Sequence, residues 1–127
     1  MVPAAPADQM QSAQTTLYGI NTCDSCRKAR RWLDEHGVSY RFHDLRVGDL
    51  NAPLLESWAG ALGWDALLNR QSTTWRQLPA EEKDDLEPSR ICRLLLAYPT
   101  LIKRPVLAHG GILQQGFRPE IYANLFA

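Results

Sequence analysis

The sequence of 127 residues lacks an excess of charge of either sign, because Lys plus Arg and Asp plus Glu each number 14. Proteins that bind nucleic acid indiscriminately normally carry a basic excess that displaces counterions, so this balance argues against direct nucleic-acid binding. It leaves room for one local basic patch. The length and the 45% hydrophobic content are typical of one globular domain.

Long apolar runs are absent as well. No stretch approaches the roughly 20 apolar residues that span a bilayer. The first residues also lack the charged segment followed by an apolar segment that marks a secretory signal. We therefore expect a cytoplasmic protein without membrane association.

Cysteine is scarce, and its distribution is uneven. Cys23 and Cys26 are close together and Cys92 stands alone, which is unlike a structural disulfide framework and suits a reducing compartment with one reactive pair. A zinc site is the rival use of the close pair and would need a second pair of ligands. The remaining candidates show no zinc-like spacing: Cys92, His36, His43 and His109.

The two close cysteines stand where a short apolar strand, predicted over residues 15–20, passes into an amphipathic helix predicted over residues 25–36. Backbone N–H groups and the helix dipole at such a joint favour a thiolate over a thiol. Cys23 comes first and is the predicted nucleophile, so we interpret Cys23 and Cys26 as a redox pair.

Four basic residues crowd the first turns of this helix: Arg27, Lys28, Arg30 and Arg31. Acidic residues would suit the helix dipole better at this end. Two interpretations remain open. Either an anion lies nearby, such as the Cys23 thiolate, a bound oxyanion or an acidic partner, or the residues form a solvated basic face.

The rest of the chain predicts a second strand, a helical block, a hairpin that turns at Gly110-Gly111 and a closing helix. The first strand, its helix and the second strand form a βαβ unit, which favours parallel pairing. The predicted ranges are residues 39–45, 49–98, 101–109 with 112–116, and 120–126.

Within the helical block, Thr73 or Thr74 is the predicted cap of a short helix that ends before Pro79. The last helix, over residues 89–98, is apolar on more than one face, so we expect it to be buried. Cys92 on this helix is predicted to be a core residue, because a buried free cysteine behaves as a small hydrophobe.

These elements predict an α/β fold with a thioredoxin-like core, βαβ followed by ββα, and a helical insertion at about residues 49–98. Residues 15–127 would form a single domain, and residues 1–14, rich in proline and alanine, a flexible extension. Arg104-Pro105 opens the third core strand, where this kind of fold places a cis-proline beside the active cysteine. An ordinary edge-strand proline is the alternative.

Four motifs in this order resemble the ArsC/Spx-type family, which comprises the glutaredoxin-coupled arsenate reductases and their relatives. Residues 69–76 are most similar to its small, uncharacterised reductase-like branch. The motifs are Cys23-Asp-Ser-Cys26-Arg27-Lys28, Leu67-Leu68-Asn69-Arg70, Lys103-Arg104-Pro105-Val106 and Gly116-Phe117-Arg118-Pro119.

The resemblance implies that Cys23 is the catalytic nucleophile and that Arg104 and Arg118 surround it. Guanidinium groups suit a tetrahedral oxyanion or the carboxylates of glutathione. Arg70 and Pro105 are further candidates for the substrate or glutathione site. The family implies no metal and no bound cofactor, with glutathione as cosubstrate and glutathione or glutaredoxin as the reducing partner.

Three positions depart from the arsenate reductase pattern. Gly19 stands where those enzymes carry a histidine, Cys26 stands where they usually have serine, and Arg70 lies one residue earlier than the arginine of the related branch. The cysteine at position 26 instead matches the redox-switch regulators.

Three functions therefore remain open. The first is a glutathione-dependent thiol oxidoreductase that acts on a small oxyanion or thiol substrate, with Cys26 or glutathione resolving the Cys23 adduct. The second is a non-catalytic redox switch of the Spx type, in which a Cys23–Cys26 disulfide tunes a surface that binds the α subunit of RNA polymerase. The third is a thioredoxin-like domain that has lost its activity.

Overall fold

The computed structural model describes residues 15–48 and 50–127. The predicted extension, residues 1–14, lies outside the described residues. The chain divides into two compact units. We call residues 15–44 with 104–127 the sheet unit and residues 45–103 the insertion unit. The predicted insertion, residues 49–98, falls inside the second unit, and the assignment of residues 15–127 to a single domain stays a prediction.

The described residues form four strands and six α-helices, together with short 3₁₀ turns. None of the described helices is both long and apolar enough to cross a membrane. The strands are β1 (Thr15–Gly19), β2 (Arg41–Asp44), β3 (Val106–His109) and β4 (Ile112–Gln115), and the helices are α1 (Asp24–Glu35), α2 (Ala52–Leu62), α3 (Trp64–Leu67), α4 (Thr73–Gln77), α5 (Pro88–Ala97) and α6 (Pro119–Leu125).

The sheet of the sheet unit has the strand order β2-β1-β3-β4. β1 pairs with β2 in parallel, whereas β3 is antiparallel to both of its neighbours. The parallel pairing follows from the crossover through α1, because strands joined by a helix return in the same direction. The predicted thioredoxin-like order, βαβ and then ββα, is therefore confirmed.

The core of the sheet unit forms where one face of the sheet meets α1 and α6. In α1 the buried residues recur at a spacing of three and four, which places them on one stripe of the helix. In β1 burial alternates along the strand, as the pleat requires. The fully buried cluster consists of Leu17, Ala29, Leu33, Leu107 and Tyr122.

The strand that leads into the hairpin, β3, is shorter than the sequence predicted. Residues 101–109 were expected to be one strand, but Pro99–Leu101 forms a 3₁₀ turn and Ile102 makes only an isolated bridge to Leu68. β3 begins at Val106, directly after Pro105, which has no N–H for a sheet ladder. The Arg104-Pro105 peptide is cis, as predicted, and the hairpin turns at Gly110 and Gly111.

The insertion unit is helical, as predicted, and its caps are explicit. Asn51 accepts a hydrogen bond from the N–H of Leu54 (2.9 Å) and so caps α2. The prediction that Thr73 or Thr74 caps the next short helix is wrong. Ser72 is the cap, because its hydroxyl accepts from the N–H of Trp75 (3.1 Å), three residues on. Cys92 is buried, as predicted.

Candidate functional site

Cys23 is the residue that precedes α1 in the turn after β1. Its N–H donates to the carbonyl of Ile20 (3.0 Å) and its carbonyl accepts from the N–H of Arg27 (3.0 Å). The extended backbone of Cys23 (φ −85°, ψ 129°) marks it as the N-cap residue. Its half-buried thiol therefore lies at the end of the helix where free N–H groups favour an anion.

The pKa of the Cys23 thiol lies below its ordinary value. Burial is the largest single influence and raises the pKa, but the backbone N–H of Cys26, the Arg104 guanidinium and the Cys26 thiol together lower it by more. Arg104 acts both as a hydrogen-bond donor and through its charge. Since the thiolate is the nucleophilic form of cysteine, these neighbours favour the reactive form of Cys23.

Cys26 is fully buried, and its pKa is shifted in the opposite direction from that of Cys23. Burial is the main cause that raises the pKa of its thiol to about 11, and the neighbouring Cys23 adds to the rise, although a backbone hydrogen bond from Ile20 and the charge of Arg104 oppose both effects. That N–H lies 3.4 Å from Cys26 Sγ. Both cysteines are free thiols, so the negative charge of the pair belongs on Cys23 and the proton on Cys26.

Arg104 reaches the Cys23 thiol from a distant part of the sequence, and Pro105 follows it directly. They directly precede β3, and β3 pairs with β1, whose end leads into the Cys23 turn. The carbonyl of the buried Pro105 accepts from the N–H of Gly116 (2.8 Å), which ties this segment to the end of the hairpin. The sheet thus brings Arg104 to Cys23, as the resemblance implied, while its role in binding a substrate stays a prediction.

Arg118 is placed differently from Arg104. It is exposed, and its guanidinium pairs with Glu120 two residues along the chain (3.1 Å). Among the described residues, the groups that act on the Cys23 thiol are Cys26 and Arg104. Arg118 is not among these groups, and the expectation that it also surrounds Cys23 stays a prediction.

Arg70 belongs to the insertion unit. It is exposed, lies 3.4 Å from the carboxylate of Asp65 and places its guanidinium 5.8 Å from the ring centre of Trp75. These contacts account for its charge within that unit, and its role in binding a substrate or glutathione stays a prediction.

Two of the four basic residues on α1 have partners close by. Arg27 forms an ion pair with Asp24 in the first turn (2.7 Å). Arg30 donates to Asn21 (2.8 Å) and to the hydroxyl of Tyr40 (3.1 Å). It also lies 4.2 Å from the ring centre of Phe42. Lys28 and Arg31 are exposed. Arg27 is therefore paired with an acidic residue, whereas Arg30 is held by neutral polar and aromatic side chains.

Gly19 contributes to the site in a way that the sequence analysis missed. The sequence presented it only as the place of an absent histidine. In the structure, a Cβ built on Gly19 would lie 2.5 Å from Cys26 Sγ. The glycine at the end of β1 therefore makes the space that the buried thiol occupies.

Tyr122 is a second residue that the sequence analysis missed. The sequence analysis placed a closing helix over residues 120–126 without singling out Tyr122, which is the fully buried residue of that helix. Leu125 and Phe126 pack around the same cluster and are partly buried. Its ring makes an edge-on contact with Phe117 (centroids 4.9 Å apart). Burial raises the pKa of Tyr122, and the charge of Cys26 raises it further. A buried tyrosine thus faces the core side of the thiol pair.

Comparison with known proteins identifies the family. Residues 18–125 match the ArsC family. The chain belongs to the ArsC family. An uncharacterized protein of Haemophilus influenzae is 39% identical over 112 residues, covering 88% of this chain and 98% of that protein. The global transcriptional regulator Spx of Streptococcus agalactiae is 30% identical over 107 residues, covering 83% and 77%.

Solved structures of similar chains agree with this ArsC-family assignment. The YFFB protein is 45% identical and superposes with a TM-score of 0.85, covering 89% of this chain and 99% of that one. An arsenate reductase (ArsC) related protein from Brucella melitensis is 41% identical with a TM-score of 0.70, covering 89% and 94%. The predicted resemblance to the ArsC/Spx-type family is therefore confirmed.

The ArsC-family site described here consists of thiol and guanidinium groups. In the described part of the chain, no cluster of three or more His, Cys, Asp or Glu side chains is suited to hold a metal ion. What the arrangement offers is a thiol of lowered pKa at a helix start, a guanidinium that helps to lower it and a second thiol of raised pKa three residues further along.

Proposed function

We propose that this protein is an arsenate reductase-like thiol oxidoreductase that uses Cys23 as its nucleophile and glutathione as its reductant. The single observation that carries the proposal is the lowered pKa of Cys23 beside Arg104 and the protonated Cys26. An isolated helix start would not be sufficient. A guanidinium beside the sulfur, brought there by the segment before β3, is the feature that distinguishes a reactive cysteine from a structural one.

With a disulfide substrate, the Cys23 thiolate attacks one sulfur and a mixed disulfide forms, while the other sulfur leaves as a thiolate. With an arsenate-like oxyanion, the sulfur displaces one oxygen, which leaves as water after taking protons from solvent. A glutathione thiolate then attacks Cys23 Sγ. The electron pair of the sulfur–arsenic bond stays on arsenic, which is reduced, and Cys23 becomes oxidised in a glutathione mixed disulfide.

Regeneration of Cys23 requires a second thiol. Either another glutathione attacks the mixed disulfide and leaves as oxidised glutathione, or the Cys26 thiol gives up its proton and forms a Cys23–Cys26 disulfide, which releases reduced glutathione. In the second case two further glutathione molecules, or glutaredoxin, reduce the internal disulfide. Both routes return the protein to the two free thiols.

Arg104 fits two roles in this scheme. Its hydrogen bond and its charge lower the pKa of Cys23, and the planar donor fork of a guanidinium matches an oxyanion or a glutathione carboxylate better than a lysine does. Because one charged group serves the nucleophile and the substrate, the proposal requires Arg104 for both the ionisation of Cys23 and substrate turnover.

The test is the rate of Cys23 alkylation against pH, followed by assays with glutathione and either arsenate or a glutathione mixed disulfide. We expect half-maximal alkylation below the pH typical of a free thiol, and reduction of at least one of the two substrates. Cys92→Ser is the matched control, because Cys92 is buried and should not contribute. Alkylation with the pH dependence of an ordinary thiol, together with no reduction of either substrate, would contradict the proposal and favour a domain without activity.

A second candidate is a redox switch that binds the α subunit of RNA polymerase. It is favoured by the named Spx relative and by the pair of cysteines at positions 23 and 26. In this case oxidation to the Cys23–Cys26 disulfide would change binding without turnover. Capture of the C-terminal domain of the α subunit by the oxidised but not the reduced protein would support the switch, and no capture in either state would exclude it.

A further inference from the structure

We propose that Gly19 is a positioning residue for Cys26, and that the absence of a side chain at position 19 allows the protein to resolve a Cys23 adduct with its own second thiol. The inference rests on the proposed function, because it begins from the mixed disulfide on Cys23. It goes further by choosing the Cys26 route over a second glutathione and by naming the residue that keeps the Cys26 thiol in place.

Backbone conformation does not explain the glycine. Gly19 is the last residue of β1 and continues the ladder with β2 opposite Asp44. The glycines of positive φ lie elsewhere, at turns and helix ends. Since any L-amino acid can adopt a strand conformation, the reason for a glycine at this position must lie in what surrounds its Cα.

The surroundings of Gly19 are dominated by Cys26. An added Cβ would lie 2.5 Å from Cys26 Sγ and 3.3 Å from Cys26 Cβ, with Phe42 at an ordinary contact distance of 3.5 Å. The distance to sulfur is far shorter than two such atoms tolerate. Sγ is the end of a short side chain, so rotation about the Cα–Cβ bond of Cys26 is the least costly response.

Such a rotation would move the sulfur away from its hydrogen bond. The N–H of Ile20, the residue after Gly19, lies 3.4 Å from Cys26 Sγ. This donor favours the thiolate of Cys26, against the burial that disfavours it. A side chain at position 19 would therefore remove the stabilising donor and turn the sulfur away from its present position beside Cys23.

The step at risk is the closure of the internal disulfide. Cys26 loses its proton to solvent and its sulfur attacks Cys23 Sγ of the mixed disulfide. The Cys23–Cys26 bond forms, and the external sulfur leaves as a thiolate. This step requires both an ionised Cys26 and the correct approach of its sulfur. The first attack by Cys23 depends on Cys26 only through the smaller effect of the Cys26 thiol and N–H on the pKa of Cys23.

The experiment separates these two steps with an aromatic disulfide, 5,5′-dithiobis(2-nitrobenzoate), as oxidant. All variants carry Cys92→Ser so that the coloured thiolate comes only from Cys23 and Cys26. The first equivalent reports the attack by Cys23, and the second reports closure by Cys26. Gly60→Ala in α2 is the matched control, because Gly60 has open space around its Cα and no positive φ.

We expect Gly19→Ala to slow release of the second equivalent about tenfold, as for one unit of thiol pKa, while the first changes by less than about threefold. Gly60→Ala should leave both phases unchanged. In a Cys26→Ala background, Gly19→Ala should no longer affect the kinetics. A second phase as fast as in the parent protein, or an equal slowing of both phases, would overturn the role of Gly19.

Two further results keep the test decisive. If Gly19→Ala does not fold, the double variant Gly19→Ala/Cys26→Ala should recover the folded state because the clashing sulfur is gone, and a failure to recover would overturn the inference. Absence of the first phase in the parent protein would contradict the proposed function itself. A normal first phase with an unslowed second phase in Gly19→Ala overturns only the role assigned to Gly19.

Discussion

Cys23 and Cys26 occupy two different regions of the sheet unit, although they lie three residues apart. Cys23 is the half-buried cap residue, next to a guanidinium from the segment before β3. Cys26 is fully buried, next to Gly19, the N–H of Ile20 and the core tyrosine. The surroundings therefore lower the pKa of the thiol at Cys23 and raise the pKa of the thiol at Cys26.

This difference shows how a short motif obtains two distinct chemical roles. Cys26 continues the buried stripe of α1 that contains Ala29 and Leu33, so its burial follows from helix packing. Cys23 precedes the helix and escapes this stripe. Burial favours the neutral form of a thiol, and a nearby cation favours the charged form. The helix start separates these two effects between neighbouring residues.

The sharpest way to test the difference is to remove each sulfur in turn. We expect Cys23→Ser to lower the rate of alkylation at pH 7 by about a hundredfold or more, because the remaining thiols are buried and protonated. Cys26→Ser should retain most of the rate. Iodoacetamide labelling followed by mass spectrometry measures both. Equal labelling of Cys23 and Cys26 in the parent protein would contradict the division of roles.

The next largest effect should come from Arg104→Ala. Loss of the guanidinium should raise the pKa of Cys23, so alkylation at pH 7 should fall about tenfold and recover at higher pH. Arg118→Ala is the matched control, since Arg118 pairs with Glu120 and should leave the pH profile unchanged. An Arg118→Ala effect as large as that of Arg104→Ala would show that both arginines act on the thiolate.

The raised pKa of the buried Cys26 thiol predicts that the stability of the protein depends on pH. The folded protein raises the pKa of Cys26 to about 11, whereas an unfolded cysteine titrates near 8.5. The stability tied to the protonated Cys26 is therefore fully present below about pH 8.5 and is lost as the pH rises towards the folded value. We expect the free energy of unfolding to fall by up to about 1.4 kcal/mol per pH unit in this window.

Denaturant unfolding of Cys23→Ser and of Cys23→Ser/Cys26→Ala between pH 8 and pH 11 measures this effect. The first variant should show the additional slope and the second should not. Identical slopes would mean that the folded state does not perturb Cys26. The Cys23→Ser background is needed because Cys23, with its lowered pKa, contributes in the opposite direction.

The smallest expected effect is that of Tyr122→Phe. The Tyr122 hydroxyl is buried, and no hydrogen-bond partner for it occurs among the described residues. Its removal should leave the free energy of unfolding unchanged or raise it by up to about 1 kcal/mol. Tyr40→Phe is the matched control and should lose about 1 kcal/mol, because Tyr40 accepts from Arg30. A loss in Tyr122→Phe as large as that in Tyr40→Phe would contradict the assignment.

Much of the sheet unit could be predicted from local patterns. The spacing of Cys26, Ala29, Trp32 and Leu33 predicted α1 and its inner face, on which Trp32 is only half-buried, and the glycine pair predicted the hairpin. The N-cap residue of α4 could not be identified from the sequence. Three adjacent residues all carry a hydroxyl that suits a cap: Ser72, Thr73 and Thr74. The choice among them depends on where the helix begins.

The two arginines show the limit of such patterns at the site. Arg104 and Arg118 both occur beside a proline in a family motif, and the motifs alone do not distinguish the two arginines. The pairing of β3 with β1 brings Arg104 to the thiol, whereas Glu120, two residues beyond Arg118, offers that arginine a nearer partner. For the same reason the sequence showed Gly19 only as the position of a missing histidine. Its close approach to Cys26 exists only after the strand and the helix have packed.

The sequence by itself determined that a thiol pair stands at a strand-to-helix joint, which strands follow one another and which helix residues turn inward, because these depend on interactions between residues near in the chain. Only the tertiary structure decided which arginine reaches the sulfur, which of the two thiols keeps its proton and why position 19 has no side chain. Those outcomes depend on burial and on distances between segments, which are set only when the strands pair and the helices pack on the sheet.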